Sequence, residues 1–423
     1  MRVQLAYGRQ GLAVELPPGD VIEPAHLAAL GDEVGAIRAA LRRPGSGRPL
    51  SDLVAGGASV GISVCDVTRP FPAARVLPVI LDELAPLRAA VTVFIATGTH
   101  RACTSGELRQ MLGDRVLGEC RIVQHDAFQT TRHRSLGLIP GTAVKALIEA
   151  EFMASDVRLT TGFIEPHFFA GFSGGPKMVA PGLAAIETVL ELHSAARIGD
   201  PRAVWGVIDG NPVQEGVRAI AAMAGVAFNL DVTLNRDHGI TGVFAGELFG
   251  SHAAGCEFAR RTAMVAVREP YDVVVTTNSG YPLDQNLYQS VKGMSAAAQI
   301  VRPGGTIVIA TECADGLPDH GRYRHLLAEA AGPEDFLALL GQPGFQAHDQ
   351  WQVQLQAQIQ MRARVLVNTS GVTSQQLRSA WLEPVDDVGQ EVSRLLEEAG
   401  PGGRLAVLPQ GPQTIPYLAA DTG

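Results

Sequence analysis

Runs of β-branched and small apolar residues that stop abruptly at polar turns containing Gly or Pro recur along the chain. Residues 58–72, ASVGISVCDVTRPFP, have this form, as do 91–101, VTVFIATGTHR, and DVRLTTGFIEPH at 156–167. The pattern returns after residue 272 in DVVVTTNSGYPLDQ, in TIVIATECADG (306–316) and in ARVLVNTSG (363–371). Continuous apolar runs of this length predict strands buried on both faces. The N-terminal MRVQLAYGRQGLAVEL predicts a hairpin about Gly8–Gly11, and RDHG is a turn signal between strands at 226–234 and 240–245. A short strand is expected at 121–124 and one more in GRLAVLPQGPQTIPYL. Helices are predicted over 24–43, 73–90, 105–119 and 142–154, and after Gly182. Strands alternating with helices imply parallel βαβ units. The expected class is therefore α/β, with two domains of mainly parallel sheet flanked by helices and the active site in the crevice between them. REPYD marks the boundary, giving domains 1–268 and 269–407, with the tail of about 408–423 a candidate to pack back on the first.

Composition narrows the classes. A chain of 423 residues with 46% hydrophobic positions, 47 Gly and only 18% charged residues is globular rather than disordered. Its net charge of −9 offers no basic footprint, so nucleic acid is excluded as an expected partner. Five scattered cysteines, Cys65, Cys103, Cys120, Cys256 and Cys313, form no CxxC pair. Neither a disulfide framework nor a thiolate zinc site is expected, and a cytoplasmic setting fits best. No stretch approaches the ~18 uninterrupted apolar residues of a spanning helix, and the N-terminus lacks the apolar core of a signal peptide.

The densest chemistry lies in GFIEPHFFAGFSGGPKMVAPG, residues 162–182, between a predicted strand and a predicted helix. Open α/β sheets place their sites at such strand ends. The alternative is a glycine-rich connector that turns a corner, against which stand His167 and Lys177 on either side of FSGG. Lys177 is out of register for a Walker A loop, because it follows Pro176 and precedes Met178 rather than Ser or Thr. It remains able to bind an anion or to act as an acylatable amine. His100 in TGTHR, His167 and His193 each sit in a context that suits proton exchange or metal ligation, although a lone histidine is more often structural. Asp66 and Arg69 in DVTRP either hold an anionic, hydroxylated ligand or pair with each other at the strand terminus. In NLYQSVKGM, Tyr288 and Lys292 share one helical face with Gln289 beside them, which suits a small carboxylate or an ordinary surface helix. No catalytic triad with a nucleophile elbow and no HExxH appear, which weakens hydrolase readings.

Taken together, the central motif, DVTRP, ATGTHR, GYPLDQNLYQSVKGM and DQW at 349–351 resemble the nickel-pincer lactate racemase family over nearly the whole chain. The resemblance implies racemisation or epimerisation of a 2-hydroxy acid by reversible hydride transfer through a 2-keto acid. It implies a nickel-bearing pyridinium mononucleotide with two thiocarboxylate-derived arms, attached covalently to Lys177 through a thioamide, with His193 as the nickel ligand. By the same resemblance Asp66, Val67, Thr68 and Arg69 hold the nucleotide, and His100 and His167 are the acid/base pair. Gln289 and Lys292 bind substrate, with Tyr288 nearby and Trp351 walling the pocket. The first domain would then carry the cofactor loop and the second the substrate-binding residues. The expected partners are a small 2-hydroxy acid and the enzymes that make the cofactor, with no membrane and an open oligomeric state. The sequence leaves two other readings, a non-catalytic anion- or nucleotide-binding protein on this scaffold and an NAD-dependent 2-hydroxy acid dehydrogenase. No GxGxxG follows the early strands, which counts against the dehydrogenase.

Overall fold

The structure is a computed structural model describing residues 1–319 and 321–419. The chain divides into two compact units, one of residues 26–193 and 200–260, the other of residues 1–25, 194–199 and 261–423. In this division residues 1–25, 194–199 and 261–268, which lie ahead of the boundary expected at 268, group with the later block.

The unit built on residues 26–193 holds a six-stranded sheet. In spatial order its strands are Ile240–Gly246, Phe228–Leu234, Val157–Phe163, Ser59–Cys65, Ala90–Ala96 and Arg121–Gln124. All neighbours are parallel except the first two, which form the hairpin expected around RDHG. Ser59–Cys65 is the first of these strands in the chain and lies in the middle, flanked by the second and the fourth. The winding therefore reverses between Ser59–Cys65 and Val157–Phe163, a switch point of the kind where open sheets bind ligands. The central strands read as unbroken apolar runs because both faces are covered. Val60, Ile62, Val64, Leu159, Leu230 and Val232 are buried with helix residues Val76, Leu77 and Ile80. The helix Ser105–Glu119 begins where expected because Thr104 and Glu107 form a reciprocal capping box.

Two expected helices differ. Residues 142–154 contain the strand Lys145–Glu149, paired antiparallel with His133–Leu138, and only one helical turn, Ala150–Ala154. Ala146 and Ile148 alternate inward at period two, and packing overrides the helical composition of that stretch. Over 24–43 only Glu33–Arg42 is helical, starting at the Asp32 cap, whose side chain accepts from the Gly35 amide.

In the other unit six parallel strands lie in the order Glu383–Pro384, Arg364–Asn368, Val301–Ala310, Tyr271–Thr277, Leu405–Leu408 and Asp20–Val21. The N-terminal hairpin, Arg2–Leu5 with Leu12–Glu15, buries Val3, Leu5 and Val14 against Val273, Val308 and Leu366 of this unit's core. The expected tail contributes Ile415–Leu418, which pairs in parallel with Met264–Val267; its last residues, 420–423, lie outside the described residues. Among the described residues no helix is long and apolar enough to cross a membrane.

Candidate active site

Two of the sequence-marked loops leave the sheet at its switch point, where Ser59–Cys65 ends at Asp66 and Val157–Phe163 runs into the central loop. The loop is tied to the strand beneath it: the Ser63 hydroxyl donates to the Met178 carbonyl at 2.6 Å, and the Thr161 hydroxyl to the Ser63 carbonyl at 3.0 Å. Both bonds are buried, where each contributes about 1 kcal/mol net and costs more to leave unmade.

Asp66 pairs with His100 rather than with Arg69. Its Oδ2 lies 2.8 Å from His100 Nδ1, and Oδ1 accepts the Thr68 hydroxyl at 2.6 Å and the Thr68 amide at 3.3 Å. Arg69 donates instead to the Thr68 carbonyl and hydroxyl, at 3.2 and 3.1 Å. Burial would raise the Asp66 carboxyl, but the His100 bond, with the His100 and Arg69 charges, holds it below the usual carboxylate value. The carboxylate fixes the His100 proton on Nδ1 and leaves Nε2 as the basic nitrogen. Val67 is exposed at the tip of this turn. The neighbouring Cys65 is no nucleophile, since burial pushes its thiol up to about 12.

His167, Lys177 and His193 converge on one ring, that of Phe169. The His167 ring centroid lies 4.5 Å from it, the His193 centroid 5.1 Å, and Lys177 Nζ 5.7 Å. His167 Nδ1 accepts the amides of Ala170 at 3.2 Å and Phe169 at 3.5 Å, which places its proton on Nε2. Buried His193, at the C-cap of Ile186–Leu192, donates Nδ1–H to the Val189 carbonyl at 2.8 Å, so its lone pair is on Nε2. The three rings thus have assigned tautomers, a base-form Nε2 on His100 and His193 and an Nε2–H on His167. Phe169 was not singled out by sequence; the only signal was its place in PHFFAG.

Lys177 sits in a 3₁₀ turn, Gly175–Met178, propped from below by groups the sequence did not reveal. Buried Asp231 accepts the Gly175 amide at 3.2 Å and Asn229 Nδ2 at 2.9 Å, and Asn229 in turn accepts from the Thr160 hydroxyl at 2.8 Å. Burial raises the Asp231 carboxyl to about 6. His252 donates to the Ser173 carbonyl at 2.9 Å, and burial lowers it to about 4, so it props the loop as a neutral ring. Gly175, at φ +46°, has no room for a side chain, because a Cβ would stand 2.6 Å from His252 Cδ2.

The remaining candidates belong to the unit of residues 261–423. Tyr288, Gln289 and Lys292 lie on the helix Leu287–Ala298, capped by Asn286 through the Gln289 amide at 3.1 Å, and all three are partly exposed. The helix lies close on the sheet because Gly293 would place a Cβ 2.1 Å from the Thr277 carbonyl oxygen. The Tyr288 ring meets Tyr323 edge-on at 5.4 Å. Trp351 is buried near the start of Gln350–Arg362, with its ring 5.3 Å from that of His348.

Residues 7–206 match the lactate racemase N-terminal domain and residues 266–415 the lactate racemase C-terminal domain. The chain is 34% identical to the lactate racemase of Thermoanaerobacterium thermosaccharolyticum, with 98% of each chain covered. It is 32% identical to that of Lactiplantibacillus plantarum, with 90% of each covered. The structure of the Thermoanaerobacterium lactate racemase apoprotein superposes with a TM-score of 0.91 at 33% identity, covering 98% of this chain and 100% of that one. A Thermotoga maritima protein of 17% identity shares the fold, with a TM-score of 0.68 over 91% of this chain and 97% of its own.

Proposed function

This chain belongs to the lactate racemase family, whose members are isomerases, and from that premise we propose that it interconverts the configurations of a 2-hydroxy acid, lactate or a close relative, with a nickel-pincer nucleotide carried on Lys177. The observation that carries the reading is the convergence of His167, Lys177 and His193 on Phe169.

The residues present fit such a group. A metal-ligating histidine usually gives Nδ1–H to a backbone carbonyl and ligates through Nε2, and His193 makes that Nδ1 bond to the Val189 carbonyl. Lys177 offers an amine on a turn braced by Asp231 and His252, and the Asp66–Arg69 turn offers acceptors and a guanidinium for hydroxyls and phosphate. When bound, the nickel-bearing pyridinium supplies an acceptor for the substrate's α-hydride, so that a planar 2-keto acid can be reduced from either face.

The chain's own groups handle protons and position. His100 Nε2, backed by Asp66, takes the hydroxyl proton of one enantiomer, and Asp66 stabilises the imidazolium that results. His167 serves the other enantiomer, first by donating Nε2–H to the substrate oxygen. Its use as a base requires Nδ1 to give up the Phe169 and Ala170 amides, so the two histidines are not equivalent. Lys292 holds the substrate carboxylate, with Gln289 and Tyr288 beside it and Trp351 limiting the side-chain pocket.

The test is production of the chain with cofactor-making enzymes, followed by chiral chromatography of L-lactate and related 2-hydroxy acids. The expected result is racemisation, one nickel per chain and added mass on the Lys177 peptide, with both nickel and activity lost in His193→Ala while circular dichroism is unchanged. Loaded protein that interconverts none of the acids would reject the reading, and full nickel in His193→Ala would reject the ligand assignment.

A further inference from the structure

A second cluster lies in the same unit, apart from the groups described above. His125 follows the strand Arg121–Gln124, and His133 begins His133–Leu138. Glu149 ends Lys145–Glu149, directly opposite His133 in register. One donor atom from each of the three lies within 4.8 Å of the others. His125 and Glu149 are buried, and His133 is partly so.

The hydrogen bonds leave this cluster with acceptors facing acceptors. His125 Nε2 lies 3.1 Å from the Ala184 carbonyl oxygen, which can only accept, so Nε2 carries a proton and, in the neutral ring, Nδ1 bears the lone pair. That lone pair points at Glu149 Oε2, 3.3 Å away. His133 repeats the arrangement: its Nδ1 gives a proton to the Gln129 carbonyl at 3.1 Å, and its Nε2 is buried without a partner. Glu149 Oε1 is likewise buried without a partner, on a side chain only 1% exposed. Orphaned buried acceptors are costly, and a charged one more so. Two imidazoles oriented by backbone carbonyls, plus a carboxylate, are the ligands and outer contacts of a divalent-metal site. Arg132, 3.3 Å from Glu149 Oε2, neutralises the oxygen that a metal on Oε1 would leave.

We propose that His125 Nδ1, His133 Nε2 and Glu149 bind a divalent transition-metal ion of the zinc class, separate from the His193 position. Its role is structural. The Glu149 amide bonds the Leu183 carbonyl at 2.9 Å, the Ala185 amide the Leu147 carbonyl at 3.0 Å, and the Ile186 amide the Ala127 carbonyl at 2.9 Å. Residues 183–186 join the Lys177 turn to the helix that ends at His193, so a metal here braces both. Three protein ligands leave a fourth position for water.

The experiment uses the full-length chain made without cofactor enzymes, stripped with chelator and titrated with zinc sulfate and, separately, cobalt chloride. The expected result is one tight equivalent of zinc, a raised Tm, and visible cobalt absorption displaced by zinc. His133→Ala and Glu149→Gln should bind at least about tenfold more weakly, and His193→Ala should bind as the parent does. Long-range ¹H–¹⁵N spectra of the parent provide a check independent of any variant, because zinc should shift His125 Nδ1 and His133 Nε2. Absence of these shifts, or binding that survives Glu149→Gln and His133→Ala but is lost in His193→Ala, overturns the proposal. Failure of lactate racemisation alone leaves these readouts untouched.

Discussion

The buried Asp66 carboxylate grips His100 Nδ1 at 2.8 Å, while the imidazole itself is 44% exposed. One partner is held by the protein and the other is presented to whatever occupies the site. The aspartate therefore works through the histidine, fixing which nitrogen is basic.

Asp66→Asn should consequently lower turnover by about 10²–10⁴-fold, close to the loss in His100→Ala, because an amide can donate to Nδ1 and reverse the tautomer. Racemisation rates at equal nickel occupancy measure this. Near-parental turnover in Asp66→Asn would make the pair structural only.

Asp231 should give stability an unusual pH dependence. Its folded value, about 6, lies above the ordinary 3.8. The folded state therefore holds this proton more tightly than the unfolded chain. That contribution is complete below pH 3.8 and is lost as pH rises through about 6, a change of about 3 kcal/mol. Asp66 has the opposite sign, since its depressed carboxyl stabilises above its unfolded value and loses that as pH falls through the folded one. Urea unfolding of the parent and Asp231→Asn, whose neutral amide mimics the protonated acid, should show similar stability near pH 4 and the parent falling increasingly behind as pH rises to 7. A pH-independent difference would contradict the assignment.

Gly175→Ala should destabilise the chain by about 1–3 kcal/mol and impair loading at Lys177, through positive φ and the collision with His252. Gly106→Ala is the contrast: its Cβ would meet nothing nearer than 4.0 Å, near the start of a helix. That change should be neutral or stabilising by up to about 1 kcal/mol. Thermal unfolding and the mass of the Lys177 peptide distinguish the two.

Lys292→Gln should raise KM roughly 10–100-fold with a smaller effect on kcat, as expected when a charge-assisted bond to a carboxylate is removed. An unchanged KM would place the substrate carboxylate elsewhere.

Strand positions were legible because the central strands are covered on both faces and read as apolar runs. Ser59–Cys65 falls within a segment that hydropathy alone marks, and Tyr271–Thr277 begins one residue before another. Lys145–Glu149 was not legible, since KALIE has helical composition and its strand pairing depends on His133–Leu138. Strand-end loops exposed His100, His167 and Lys177 as candidates, yet the Asp66–His100 pairing needed two parallel strands to bring their tips together. Asp231 was hidden for a similar reason. In FNLDVTL it resembles one polar residue of a half-exposed strand, and its partner Gly175 is 56 residues away.

The pairing of Asp20–Val21 with Leu405–Leu408 has a consequence for assembly during synthesis. The first strand of this sheet to leave the ribosome docks beside its last. At roughly 5–20 residues per second, Asp20 waits on the order of 20–80 s for its neighbour. Meanwhile residues 26–193 and 200–260 can complete their own sheet. The N-terminal hairpin, with Val3, Leu5 and Val14 destined for the later core, must stay soluble through that interval. Removing residues 1–25 would therefore damage the unit encoded at the far end of the gene and spare the one encoded next to it.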